Sequence, residues 1–147
     1  MIKVMIVDDK EANRFVLTNF IKLFGNKSNI EILESDSGAN ALNKLKSMED
    51  IPSLVMMDIK MENDTAGIET VKAIRSDERL KDIEVWAITA QAMEGSGNNI
   101  SDKDKCLEAG FNDYVSKPFD LAILLKKISA HLSLEIPANI RNKMGLN

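Results

Sequence analysis

The sequence predicts an α/β protein in which a doubly wound parallel sheet carries helices on both faces. Five short apolar runs, rich in β-branched and large aliphatic residues, alternate along the chain with segments whose apolar residues recur every three or four positions. Repeated β-α units of this kind form parallel sheets that are covered by helices. The 147 residues are enough for one ordinary domain with a full hydrophobic core.

The apolar runs are the predicted strands. The first and third runs are continuous rather than alternating, which is typical of strands that are buried on both faces of a parallel sheet. We expect the second run at one edge of the sheet. In order, the runs are Ile2–Val7, Ile30–Leu33, Leu54–Met57, Ile83–Ile88 and Tyr114–Val115.

The segments between the runs are the predicted helices, and several of them carry start or stop signals. The first helix extends from Glu11 to Phe24, where Gly25 supplies a C-terminal stop. The second helix ends before Pro52, and the third is shorter. The last helix has the clearest apolar face, and Asp120 is its expected N-cap.

The fourth helix is the weakest of the set. A polar, glycine-bearing stretch over residues 94–99 predicts a flexible loop before it. Ser101, with Asp104 three residues later, resembles a capping box that opens a short helix ending at Gly110. After Leu134 the periodicity fades, so we interpret the last residues as a short C-terminal tail.

Composition excludes several classes of protein. Hydrophobic residues at 44% and charged residues at 29% argue against a disordered or fibrous chain. The net charge is −4 and no stretch concentrates Lys and Arg, so we expect no direct binding to nucleic acid. Cys106 is the only cysteine, which excludes an intrachain disulfide and indicates a reducing compartment. The N-terminal apolar run ends in two aspartates, so we expect neither a signal peptide nor a membrane span, and a cytoplasmic location.

Polar residues collect where the predicted strands end, and ligands of doubly wound sheets bind outside the carboxyl ends of the strands. The first run ends in Asp8 and Asp9, the third in Asp58, the fourth in Thr89 and the fifth in Lys117. One such residue is commonplace, because strand ends border polar loops. Five of them at four strand ends indicate a site.

The residue types in this group favour phosphoryl chemistry on a magnesium ion. Three carboxylates repel one another unless a cation lies among them, and Lys117 offsets only one charge. Oxygen ligands with no imidazole or thiolate nearby favour Mg²⁺ for the rest. Beside an ammonium and a hydroxyl, a carboxylate can act as the nucleophile that forms an aspartyl phosphate. Asp58 is the candidate nucleophile, and Asp8 and Asp9 are the candidate metal ligands.

Four motifs, taken in order, resemble the response-regulator receiver domain of two-component signalling. Each motif alone is weakly specific, whereas the ordered set with its spacing is strongly specific. The resemblance covers about residues 2–133 and implies a flavodoxin-like fold with a five-stranded sheet in the order 2-1-3-4-5. The motifs are VDD at 7–9, MMDIKM at 56–61, ITA at 88–90 and DYVSKPF at 113–119.

The resemblance also implies a role for each candidate residue. Asp58 would be the phosphoacceptor, and Lys117 would contact the phosphoryl oxygens. Asp8 and Asp9 would serve the Mg²⁺ site together with Asp58 and the backbone carbonyl of Lys60.

Two further residues would form the switch that the resemblance implies. The hydroxyl of Thr89 would swing towards the phosphoryl group, and Tyr114 would rotate inward with it. The Lys117–Pro118 bond is expected to be cis. Lys60 and Gln91 would tune the lifetime of the acyl phosphate.

The chain departs from the usual receiver pattern at three places. After the phosphoacceptor a proline is missing and the glycine, Gly67, arrives one residue late. Several extra residues stand near Ser96–Ser101, on the face where many receivers change shape and dimerise. Lys10 follows the acidic pair, where an acidic or neutral residue is commoner. We therefore expect a receiver domain over residues 1–133 with an insertion near 96–101, followed by a tail over 134–147.

The expected function is that of a stand-alone receiver that takes a phosphoryl group from a phosphohistidine onto Asp58. The donor would be a sensor histidine kinase or a histidine phosphotransfer protein, and the output would be contact with a downstream protein target, without nucleic acid or membrane. We expect only self-phosphorylation and self-dephosphorylation, and the oligomeric state stays open. One alternative is a flavodoxin-like binding module that acts without phosphorylation, against which the set Asp58, Thr89 and Lys117 argues. The other is an aspartyl-phosphate phosphohydrolase, which usually has a second acid where this chain has Lys60.

Overall fold

A computed structural model describes residues 2–25, 29–61, 65–89 and 102–145 of the chain. The five strands are all parallel and lie in the order β2-β1-β3-β4-β5, which confirms the predicted fold class and strand order. Within these ranges, no helix is long and apolar enough to cross a membrane. The elements are β1 (Ile2–Val7), α1 (Glu11–Lys22), β2 (Ile30–Ser35), α2 (Gly38–Ser47), β3 (Leu54–Asp58), α3 (Ala66–Ser76), β4 (Val85–Thr89), α4 (Asp102–Ala109), β5 (Asp113–Ser116), α5 (Leu121–Leu132) and α6 (Ala138–Met144).

Each face of the sheet has a core of its own, because successive strand residues point to opposite faces. The first core packs strand residues such as Met57 against α2, α3 and α4, and it includes Cys106. The second core packs residues such as Met56 against α1 and α5, and it includes Trp86. Both Cys106 and Trp86 are therefore buried packing residues.

The central strand β3 is buried along its whole length. It pairs with β1 on one side and with β4 on the other, and helices cover both of its faces. Because both faces of β3 are buried, its apolar residues form a continuous run instead of alternating with polar residues. Asp58, the last residue of β3, therefore stands in the middle of the carboxyl edge of the sheet.

Two of the predicted helix signals are confirmed at atomic detail. The Asp120 carboxylate accepts a hydrogen bond from the Ile123 amide at 3.1 Å, as an N-cap does. Gly25 has a φ of +85°, the left-handed conformation that favours glycine after a helix end. The capping pair of Ser101 with Asp104 lies outside the described residues because Ser101 does.

The segment after α5 is folded, which the sequence pattern did not predict. Ser133 ends α5 in the left-handed conformation, and the Leu134 amide donates to the Ser129 carbonyl. Ile136 is 8% exposed and lies in the second core, and Ile140 packs against that core from α6. With only seven residues, α6 is too short to show a periodic apolar face in the sequence.

Replacing Ile136 with alanine is expected to lower the free energy of unfolding by about 2–4 kcal/mol, because the change leaves a cavity in the second core. Urea denaturation followed by circular dichroism measures this loss. Ile123→Ala is the matched control, since Ile123 is 55% exposed and its truncation should change the stability by about 0.5 kcal/mol at most. Equal effects of the two variants would mean that residues 134–144 do not contribute to the core.

Candidate functional site

The carboxyl ends of the strands bring the predicted acidic residues together at one edge of the sheet. Asp8 and Asp9 follow β1, and Asp58 ends β3. One carboxylate oxygen from each of the three lies within 4.8 Å of the others. Asp8 is 1% exposed and Asp58 is 7% exposed, whereas Asp9 faces solvent. The cluster is thus an acidic pocket with two buried members and one open side.

Lys117 bridges the two buried carboxylates. Its Nζ lies 3.0 Å from Asp58 Oδ2 and 3.4 Å from Asp8 Oδ2. Its backbone amide donates to the carbonyl of Thr89 at 2.8 Å, which ties the end of β5 to the end of β4. The Lys117–Pro118 peptide bond is cis, as the resemblance implies. The hydrogen bond from the Lys117 backbone amide to Thr89 therefore helps to hold the Lys117 ammonium among the carboxylates.

The Asp58 carboxylate uses its two oxygens differently. Oδ1 accepts a hydrogen bond from the Lys60 amide at 3.1 Å, while Oδ2 faces Lys117. Burial raises the pKa of Asp58 above its usual value, the hydrogen bond from Lys117 opposes this, and the charge of Asp8 raises the pKa further. Burial, the largest of these effects, together with the charge of Asp8 therefore outweighs the effect of Lys117 on the pKa of Asp58.

This raised pKa predicts how Asp58 affects stability as pH changes. Below the ordinary value of 3.8, the side chain is neutral in both states and costs nothing. As pH rises from there through the higher pKa of the folded state, the folded chain loses stability, because its carboxylate ionises less readily than in the unfolded chain.

Asp58→Asn removes that cost, so in metal-free buffer its stability advantage over the wild type should grow with pH. At pH 7 we expect its melting temperature to be about 2–4 °C higher, the shift that about 1 kcal/mol produces at this size. Thermal unfolding between pH 4 and pH 7 in the presence of EDTA measures the difference. Asp50→Asn, a change at an exposed carboxylate, is the control. A stability advantage of Asp58→Asn that shrinks with rising pH would contradict a raised pKa of Asp58 in the folded state.

The late glycine of the third loop has a steric reason. The Gly67 amide donates to the Ile59 carbonyl at 2.9 Å, so the start of α3 presses against the end of β3. A Cβ at position 67 would lie 2.4 Å from the carbonyl oxygen of Asp58 and 2.7 Å from Ile59 Cα. No side chain fits there, so glycine is needed for the loop after Asp58 to close. Residues 62–64, which carry the rest of this departure, lie outside the described residues.

The two predicted switch residues lie on the last two strands. Thr89 is buried at the end of β4, at the same edge as the acidic pocket. Tyr114 pairs with Ala87 in the sheet, and its half-buried ring packs against the first core. Lys127 stands over this ring, with Nζ 5.7 Å from the ring centroid. Gln91 and the insertion near 96–101 lie outside the described residues.

Arg14 is a residue of this edge that the sequence analysis missed. Its Nη1 donates to the backbone carbonyl of Asp8 at 2.7 Å, and its Nε lies 3.0 Å from Glu34 Oε1. A signal for it existed, because a cation in the first half of a helix opposes the helix dipole and calls for a partner. The cation is the fourth residue of α1; Glu11 in the first turn is an acidic neighbour on the same helix, but the structure pairs Arg14 with Glu34 of β2.

The donor set suits a hard divalent cation. All three acidic side chains offer oxygen, and no thiolate or imidazole belongs to the group. Three carboxylates against one ammonium leave a charge of about −2, which such a cation would balance. Fold and site together define a class, the doubly wound α/β proteins that carry an acidic pocket and a lysine at the carboxyl edge of the sheet.

Comparisons with known proteins narrow this class. The sequence profile of the response regulator receiver domain matches residues 4–129. The chain is 33% identical over 129 residues to the polar-differentiation response regulator DivK of Brucella ovis, covering 88% of this chain and 94% of DivK. The chain belongs to the response regulator receiver domain family.

Solved structures agree with this placement. One similar structure is the co-crystal structure of the Saccharomyces cerevisiae histidine phosphotransfer signaling protein Ypd1 and the receiver domain of its downstream response regulator Ssk1. The matched chain is 30% identical to this one, with a TM-score of 0.71, and the match covers 93% of this chain and 92% of that chain. The receiver domain of the sensor histidine kinase PA1611 from Pseudomonas aeruginosa PAO1 shares the fold at 22% identity, with a TM-score of 0.69 over 89% of this chain and 97% of that chain. That structure has a magnesium ion coordinated in its active site cleft.

Proposed function

We propose that this receiver accepts a phosphoryl group on Asp58 from a phosphohistidine of a partner protein. The observation that carries the proposal is the contact of Lys117 Nζ with Asp58 Oδ2 at 3.0 Å, inside a pocket where the carboxylate is almost fully buried. A buried carboxylate with a raised pKa and a fixed ammonium beside it is the arrangement of a nucleophile rather than of a surface ion pair.

The transfer is a displacement at phosphorus. An oxygen of Asp58 forms a new bond to phosphorus as the bond between phosphorus and the imidazole nitrogen breaks, and the imidazole leaves with the electron pair and takes a proton from solvent. Lys117 stabilises the negative charge of the phosphoryl oxygens, because its ammonium already points at the acceptor. The Lys60 amide orients the carboxylate through Oδ1. The Thr89 hydroxyl would donate to the phosphoryl group once it is in place.

Asp8, Asp9, Asp58 and the backbone carbonyl of Lys60 would hold Mg²⁺. The ion supplies positive charge that offsets the phosphoryl oxygens and the acidic pocket. This assignment rests on the all-oxygen donor set and on the charge balance, since three carboxylates meet the single ammonium of Lys117.

The partner would be a sensor histidine kinase or a histidine phosphotransfer protein. The support for this class is the Ssk1 receiver, which crystallised with such a protein and is 30% identical to the chain. A phosphoryl group adds nearly two negative charges next to Thr89, enough to bias the positions of Thr89 and Tyr114. The changed surface around β4 and β5 would then contact a downstream protein target.

Incubation with acetyl phosphate tests the proposal, because this small donor needs no partner protein. With MgCl₂, intact-mass spectrometry should show one phosphoryl group per chain, stable in acid and labile in base, and EDTA should prevent its appearance. Absence of the adduct under all conditions would favour a binding module that acts without phosphorylation. Steady release of phosphate from many different esters, without an adduct, would favour a phosphohydrolase.

A further inference from the structure

Arg14 makes two charged or polar contacts that link three parts of the fold. It lies on α1 with 16% of its side chain exposed. Its guanidinium joins the Asp8 carbonyl, in the loop between β1 and α1, to Glu34 on the edge strand β2. A guanidinium can serve both acceptors at once because its nitrogens point in fixed, different directions. The side chain therefore fastens the loop of the acidic pocket to the edge of the sheet.

Every polar group of Asp8 has a partner in this arrangement. Its amide donates to the carbonyl of Ser35 at 3.0 Å, and its Oδ1 accepts from the amide of Lys10 at 2.9 Å. Its Oδ2 faces Lys117, and its carbonyl accepts from Arg14. Only the last of these four contacts acts on the peptide bond that joins Asp8 to Asp9.

Asp9 has no such support. Among the residues that the structure describes, its carboxylate has no hydrogen bond or ion pair, although it belongs to the acidic cluster. Its place is set by its backbone, which Arg14 holds at the Asp8–Asp9 peptide and the Asp8 carboxylate holds at the Asp9–Lys10 peptide. Partners that orient a metal ligand typically affect metal affinity about 10-fold to 100-fold.

We propose that Arg14 is a positioning residue for the magnesium site, acting by holding the peptide between Asp8 and Asp9. The inference rests on the proposed function, in that Asp8 and Asp9 serve as magnesium ligands there. Glu34 keeps the guanidinium in place and offsets its charge, so the effect on the metal is one of geometry.

The sign of the effect separates this role from simple electrostatics. Arg14 carries a positive charge near a cation site, so removing that charge alone would tighten binding of Mg²⁺. Loss of the hydrogen bond that holds the Asp8–Asp9 peptide would weaken Mg²⁺ binding. Arg14→Met removes both the charge and the hydrogen bond to the Asp8 carbonyl, and we expect the dissociation constant for Mg²⁺ to rise about tenfold.

The test is a titration with MgCl₂ at constant ionic strength, followed by the backbone amide NMR shifts of residues 8–10 and 58–60. Arg14→Lys keeps the charge but loses the planar group that serves both acceptors, so its dissociation constant should lie between those of the wild type and Arg14→Met. Lys44→Met is the matched control, because Lys44 donates to the Glu34 carbonyl at the same edge but does not contact the loop of Asp8. It should leave the affinity unchanged or slightly tighter.

Phosphorylation by acetyl phosphate supplies a second measurement. In Arg14→Met, the Mg²⁺ concentration for half-maximal rate should rise by the same factor as the dissociation constant, with the maximal rate within about twofold of the wild type. Equal or tighter Mg²⁺ binding by Arg14→Met would overturn the inference. A wild type that binds no Mg²⁺ at residues 8–10 and 58–60 would overturn the proposed metal site and this inference with it. A wild type that binds Mg²⁺ but is not phosphorylated would overturn the proposed function, and the inference would still be decided by the variants.

Discussion

Asp58→Asn is expected to abolish phosphorylation of the chain by acetyl phosphate. An asparagine amide keeps the size of the side chain, but its single oxygen can accept from the Lys60 amide or from Lys117 and not from both, and it is no nucleophile. The adduct that the wild type forms with Mg²⁺ should therefore be missing from the intact-mass spectrum at every time point. Because asparagine relieves the electrostatic cost of the pocket, the variant should also stay folded.

The control for this result is Asp50→Asn, which removes an exposed carboxylate before β3. It should be phosphorylated at the rate of the wild type. Trp86, in the second core and paired with Met56 in the sheet, provides a second readout. An emission change that accompanies phosphorylation in the wild type should be absent from Asp58→Asn. An adduct that persists in Asp58→Asn would mean that another side chain is the acceptor.

Lys117→Met should slow phosphorylation by roughly 10²–10³-fold, the loss typical of removing one preorganised donor to developing negative charge. The methionine is similar in length but cannot stabilise the phosphoryl oxygens. The change also removes the contacts with Asp58 and Asp8, so the pKa of Asp58 should rise further, because the hydrogen bond from Lys117 is what opposes its upward shift. A time course of adduct formation at saturating Mg²⁺ measures the loss.

Two other variants make this result specific. Lys117→Arg keeps the charge but replaces a compact ammonium with a larger planar group, so its rate should lie between those of the wild type and Lys117→Met. Lys126→Met removes an exposed lysine of α5 and should stay within about twofold of the wild type. A Lys117→Met rate close to that of the wild type would refute a role for this ammonium in the transfer.

Patterns with a fixed period made most of the fold predictable. β1 has the bounds that its apolar run predicted, and β3 is longer by only one residue, Asp58 itself. The meeting of Asp8, Asp58 and Lys117 was predictable too, because parallel strands end at one edge and a polar residue after a buried run lies there. The sequence could therefore predict the strands and helices, and which strand ends lie together.

Contacts that depend on side-chain reach or on close approach could not be predicted in this way. The contact from Arg14 to Asp8 crosses from a helix to the preceding loop, and the partner Glu34 is on another strand. The need for glycine at position 67 arises from a backbone that approaches from β3. The helix α6 is held by packing against the second core, and its own residues carry too short a pattern to reveal it.

The end of α5 lies far from the chemistry, as its contact with the segment before β3 demonstrates. The Nε2 atom of His131 is 3.0 Å from the Ser53 carbonyl, at the amino edge of the sheet, and Ile136 then joins the same core as Phe24 at the end of α1. The segment between α5 and α6 therefore lies on the side of the sheet opposite Asp58. Immobilising the protein on a sensor chip through Ala138→Cys, at the exposed first residue of α6, should leave the acidic pocket open to a phosphohistidine partner in solution, and this orientation is the one to choose for measuring their association.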